Sequence, residues 1–173
     1  MASANDADRR TLRRIRCVLV VFVLGLVLSG VTAFPLIHEL NLLVSMLGGD
    51  EAVSPASRGM LLSWLVAVRD GLVDTQVKYP WMAYGTDWLA FAHIAIAVFF
   101  VGPLVDPVRN IWVLRAGLIA CALVIPLALI CGEVRGIPFG WRLIDCSFGI
   151  VGALPLWYCL RLVRKLEPER SRG

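Results

Sequence analysis

Apolar residues in this chain run in long blocks separated by short polar stretches. Four blocks, at about 17–37, 88–105, 111–131 and 141–163, approach the roughly 20 residues that carry an α-helix across ~30 Å of bilayer hydrocarbon. The pattern predicts an all-α protein, a four-helix transmembrane bundle forming a single membrane domain over residues 1–173. Between the first two blocks lies a long loop, 38–87, with periodicity of its own. LIHELNLLVSML stays helical in spacing until Gly48-Gly49 interrupts it, because glycine weakens a helix. After GGDEAVSPAS, the pair Ser54-Pro55 offers a capping serine and a proline at the first helical position, a favourable helix start. Met60, Leu61, Trp64, Leu65, Val68 and Leu72 then recur at helical spacing, while Arg58, Arg69, Asp70 and Asp74 take other faces. This predicts an additional amphipathic helix over about 55–73, lying on the outer membrane surface or folding over the mouth of the bundle.

Tyr79, Trp81, Tyr84 and Trp88 cluster just before the second block, where amphipathic rings sit at a membrane interface. Thr86 or Asp87 is the expected helix cap. GPLVDPVRN and GEVRGIPFG are short enough to make tight hairpins, and each span carries one proline: Pro35, Pro103, Pro126 and Pro155. A proline inside a helix frees a carbonyl and bends it, which membrane bundles tolerate where neighbours compensate.

Composition agrees: 58% of the 173 residues are hydrophobic and the mean hydropathy is +0.75. The net charge of +4 is distributed in a way that argues against nucleic acid as a partner. Arg9, Arg10, Arg13, Arg14 and Arg16 precede the first span, Arg161, Arg164, Lys165, Arg170 and Arg172 follow the last, and Arg109 sits in the turn between spans two and three. The positive-inside bias then places both termini and that turn in the cytoplasm, with the basic tails against anionic membrane lipids. Loop 38–87 is extracytoplasmic on this reading. Residues 1–14 are short and polar and are expected to be disordered. Val31-Thr32-Ala33 resembles a leader cleavage site, but the apolar stretch continues through Phe34 and Ile37, which favours a retained span. Cys17, Cys121, Cys131, Cys146 and Cys159 show neither a CxxC pair nor metal-ligand spacing. No metal or cofactor is expected.

The candidate chemistry lies on helical stripes. Arg142, Asp145, Gly149, Gly152 and Leu156 fall on one face of the fourth span, and Thr86, Ala90, His93, Ala97 and Phe100 on one face of the second. Gly25, Ser29, Thr32 and Leu36 line up on the first and lead toward Glu39. Small-residue stripes are where membrane helices approach closely. An inward polar cluster follows, with His93, Arg142 and Asp145 in the outer half and Glu39, Asp87 and Glu133 around its rim. At ~1.5 Å per residue, Asp145 lies roughly 8 Å and His93 about 10 Å below their helix ends. Intramembrane charges need partners and often mark function. In the bland alternative, Arg142 and Asp145 neutralise each other and fasten the fourth helix.

Three classes compete. A binding or accessory protein would hold a lipid-like ligand or pack in a larger membrane complex or a homo-oligomer; short loops and many small residues favour it. An enzyme would use His93, Asp145 or Glu39 as acid or base on an outer-leaflet lipid, with Arg142 on an anionic headgroup, although no catalytic spacing is present. A haem protein would need His38 and His93 as axial ligands, and their estimated depths do not match. The phrases YGTDWLAFAH, GPLVDPVRNIW and RGIPFGWRLIDCSFG resemble a group of small, uncharacterised bacterial four-span integral membrane proteins. That resemblance covers about half the chain. It implies a bacterial inner-membrane setting, no chemistry and no site residues.

Overall fold

The computed structural model describes residues 2–48 and 59–170. These are helical, with no strand among the described residues. Seven α-helices follow in order: α1 (Ala2–Ala33), α2 (Leu36–Met46), α3 (Met60–Lys78), α4 (Tyr84–Phe99), α5 (Val101–Val105), α6 (Ile111–Val134) and α7 (Phe139–Arg170). A 3-10 turn, Pro80–Ala83, leads into α4. Four segments are long and apolar enough to cross a membrane: Ala7–Ala33, Pro80–Val105, Ile111–Val134 and Phe139–Leu166. Large side chains along them, such as Phe99, Phe148 and Leu123, stand exposed on the protein surface. Apolar surface on that scale requires lipid around it. This is a multi-pass membrane protein.

Proline and glycine set the element boundaries. Pro35 has no N–H for the Val31 carbonyl, and Phe34 takes that carbonyl instead in a long 3.4 Å turn bond. The residue before a proline is also biased away from helix. The expected bend at Pro35 is therefore a full break, and α1 stops at Ala33. Helix α2 ends where the glycine pair predicts, with Gly48 at φ 71 accepting the left-handed conformation that other residues avoid. At the N-terminus α1 is helical from Ala2, whereas disorder is expected from the sequence of residues 1–14; the segment contains neither glycine nor proline and is rich in alanine and arginine, both strong helix formers. The Ser54-Pro55 helix start lies outside the described residues. Within them, α3 begins at Met60 and runs to Lys78, five residues beyond the expected end at 73 and closed by an Asp74–Lys78 ion pair of 2.8 Å.

The chain divides into two compact units, residues 1–25 with 96–173, and 26–95. In the first unit α6 and α7 form an extensive antiparallel hairpin. Gly149 of α7 meets the α6 backbone so closely that a Cβ there would lie 2.5 Å from the Cys121 carbonyl oxygen. Ile15 and Leu19 of α1, Leu114 of α6, and Leu156 and Val163 of α7 are fully buried. Phe22 packs on Phe100 with ring centroids 4.8 Å apart. Arg16 serves structure as well as charge: its Nε and Nη2 donate to the Leu104 and Val105 carbonyls at 3.1 and 3.0 Å. A cation at the open end of α5 suits both the unpaired carbonyls and the helix dipole. Asn110 completes that end, donating to the Gly102 and Asp106 carbonyls.

In the second unit α3 packs on α2 and on the 3-10 turn. The last turns of α1 meet α4 at Gly30, where a Cβ would lie 2.9 Å from the Ala90 carbonyl and 3.1 Å from the His93 Cβ.

Candidate functional site

The residue faces on α4 and α7 match the predicted stripes. Ala90, Ala97 and Phe100 are buried with Thr86 and His93 half-buried, and Gly149 and Leu156 are buried with Arg142, Asp145 and Gly152 half-buried. On α1 the stripe is displaced. Gly25 and Ser29 are exposed, and Gly30 is the buried position. Every residue around Gly25 and Ser29 is apolar or small, so the periodicity alone could not select the face.

Of the six candidate residues, Glu133, Arg142 and Asp145 belong to the first unit and Glu39, Asp87 and His93 to the second. In the first unit Arg142 holds together the hairpin turn it follows. Helix α6 ends in a glycine-capped turn: Gly136, at φ 68, donates to the Glu133 carbonyl and Ile137 to the Gly132 carbonyl, the paired bonds of a Schellman motif. This reversal presents the Ile137 carbonyl to Arg142, whose Nε donates to it at 2.7 Å. The Arg142 Nη1 pairs with the Glu133 carboxylate. Gly132 leaves room for the arginine stem; a Cβ there would come within 2.8 Å of the Arg142 Cγ and Cδ. The Phe139 ring adds a contact 6.0 Å from the guanidinium carbon. The Arg142 side chain is only 13% exposed, whereas that of Glu133 is 74% exposed.

The expected neutralisation of Arg142 by Asp145 is thereby corrected: the arginine's carboxylate partner is Glu133. An i, i+3 neighbour cannot compete with a group that the turn delivers directly to the guanidinium. Asp145, one turn deeper and half-buried, has no hydrogen-bond or ion-pair partner among the described residues. Gly132 and the Ile137 carbonyl were missed as parts of this assembly. The Gly136-Ile137-Pro138 sequence, a helix stop with proline just after it, was the available signal.

The second unit holds a groove of about 620 Å³. One wall is the break between α1 and α2, from Phe34 to His38; another is Leu72, Thr75 and Gln76 of α3; the third is Met82, Ala83, Thr86 and Asp87 at the entry to α4. The break at Pro35 creates the first wall, since a continuous helix would carry these side chains around its axis. Apolar side chains dominate the lining, and His38, Thr75, Gln76, Thr86 and Asp87 are its polar groups. Asp87 stands in the first turn of α4, where a carboxylate is stabilised by the helix dipole. Helix α4 begins at Tyr84, ahead of the expected caps, and the Thr86 hydroxyl donates back to the Ala83 carbonyl at 2.6 Å. Its oxygen remains able to accept. Among the described residues no Lys or Arg lines the groove.

His93 lies about two turns further along α4 and does not line the groove. Its Nδ1 is 2.8 Å from the Leu89 carbonyl. A carbonyl only accepts, so Nδ1 is the donor in this contact. Glu39 is exposed and also stands outside the groove lining. His38, next to it in sequence, is the residue that sequence reasoning passed over except as a haem ligand. Tyr79, Trp81, Tyr84 and Trp88 are all exposed around the same entry, as an interfacial belt requires. Among the described residues no group of three or more His, Cys, Asp and Glu could hold a metal ion.

The volume lies within the roughly 300–1,000 Å³ of small-molecule sites. The groove joins the end of one span to the beginning of the next, so it sits where hydrocarbon gives way to headgroups. An apolar floor, a carboxylate and hydrogen-bonding groups at that level can hold an amphiphile with its polar end at Asp87 and His38. Compared with known proteins, the chain matches no family model, and no curated protein or solved structure is similar to it.

Proposed function

We propose that this chain is a small bacterial inner-membrane protein of binding or accessory type that holds a lipid-like molecule in the groove of α2, α3 and α4. The observation that carries the reading is the groove itself: an apolar cavity of about 620 Å³ with Asp87 and His38 on its lining. The positive-inside charge bias supports termini in the cytoplasm and, with them, a groove in the outer leaflet. Among the described residues the lining carries one carboxylate and no Lys or Arg, so it suits a headgroup that brings hydrogen-bond donors and positive charge. An amine-bearing phospholipid meets both needs, with its ammonium on Asp87 and its phosphate near His38 and Gln76.

Lipid extracted from protein purified in mild detergent is expected to be enriched in aminophospholipid over phosphatidylglycerol, relative to the host membrane. Charge-assisted hydrogen bonds are worth about 1.5–3 kcal/mol, so Asp87→Asn is expected to reduce that enrichment by about tenfold or more. Enrichment unchanged by Asp87→Asn would remove Asp87 from the site. The alternative reading, acid–base catalysis on a lipophilic substrate, predicts turnover: ligand recovered unaltered after prolonged incubation supports binding, and conversion supports an enzyme.

A further inference from the structure

A second groove, of about 440 Å³, lies in the first unit between α1 and α7. Arg10, Arg13, Arg14 and Cys17 contribute one face of α1 at helical spacing, and Val18 and Tyr158 complete the lining. Sequence position made these arginines a topology signal. The structure sets them along a concave surface with Tyr158, while Arg16 on the same helix donates to the α5 carbonyls. Among the described residues no acidic side chain lines this groove.

We infer that this groove binds the phosphodiester headgroup of an anionic phospholipid in the leaflet that holds the termini, at a site separate from the groove of the second unit. Planar guanidinium groups match phosphate oxygens in paired hydrogen bonds, and Arg10, Arg13 and Arg14 bring three of them to one lining. The source is a lipid because the basic lining continues into hydrocarbon-facing surface. Beyond Cys17 the same face of α1 carries Val21 and Leu24, 71% and 61% exposed. An acyl chain attached to the bound phosphate has that strip to lie along. A free phosphate would leave it uncovered. The chemistry is opposite to that of the first groove: cationic here, carboxylate-bearing there.

Native mass spectrometry of the full chain tests this with phosphatidylglycerol and phosphatidylcholine of identical acyl chains, and with glycerol phosphate as the headgroup alone. Juxtamembrane basic residues each contribute appreciably to anionic-lipid binding, so the wild type is expected to prefer phosphatidylglycerol by at least about tenfold. Arg10→Gln/Arg13→Gln/Arg14→Gln is expected to abolish the preference. Arg9→Gln/Arg164→Gln/Lys165→Gln removes the same charge away from the groove and is expected to retain it. Thermal unfolding identifies any variant that has lost its fold, and Arg13→Gln/Arg14→Gln serves where the triple variant does so. Equal loss in both triple variants would reduce the effect to diffuse charge and overturn the site. Glycerol phosphate competing as well as the intact lipid would overturn the lipid assignment, and no preference in the wild type would overturn both.

Discussion

Gly149→Ala is expected to cost about 3 kcal/mol, the upper end of what overpacking a core costs. The added Cβ would stand 2.5 Å from the Cys121 carbonyl oxygen and 3.3 Å from the Val124 Cβ. The first of these is backbone, so it cannot rotate aside as a side chain would; α6 and α7 must separate along their shared face. Gly25→Ala is the matched comparison. Nothing lies within 4 Å of a Cβ at Gly25, and replacing an interior helical glycine gains roughly 0.5–1 kcal/mol through reduced chain entropy. Thermal unfolding in one detergent is expected to lower the midpoint for Gly149→Ala and leave it equal or higher for Gly25→Ala. Equal losses at both positions would contradict the helix faces described above.

Arg142→Met is the second large effect, with an expected cost of about 1–3 kcal/mol for the acceptor left unpaired. Methionine follows the arginine stem over Gly132 but offers no donor to the Ile137 carbonyl. Glu133→Gln is expected to cost less than about 1 kcal/mol, because a solvent-exposed carboxylate contributes little to an ion pair. Asp145→Asn is expected to change stability less than Arg142→Met, since Asp145 does not pair with the arginine. Double-mutant cycles separate the two pairings. Coupling is expected between Arg142 and Glu133, and none between Arg142 and Asp145. Coupling confined to the second pair would restore the neutralisation that the sequence suggested.

The comparison of sequence with structure turns on which information is local. The spans were legible because a block of about 20 apolar residues has few other uses. The buried faces of α4 and α7 were legible because each carries polar or small residues on one stripe and bulky ones opposite. Along α1, small and apolar residues surround the axis, so Gly25 and Ser29 could not be distinguished from Gly30. The partner of Arg142 was illegible for another reason. Glu133 lies nine residues away in sequence, and only the left-handed Gly136 turn brings it to the guanidinium. The groove of the second unit depends on a break at Pro35 and on α3 reaching Lys78. Neither its His38 nor its Gln76 carries a local signature. The arginines of α1 were visible as charge, but their concave arrangement against Tyr158 requires α7.

A bound amphiphile in the groove of the second unit is most directly tested by filling that groove. Ala83 lines it, whereas Val77 is 80% exposed and does not. Retained aminophospholipid per chain, measured by native mass spectrometry after exhaustive detergent exchange, is expected to be stoichiometric in the wild type and in Val77→Trp. Ala83→Trp is expected to lose it while keeping its unfolding midpoint. Retention undiminished in a folded Ala83→Trp variant would show that the lipid sits elsewhere, and the binding account of this protein would fail.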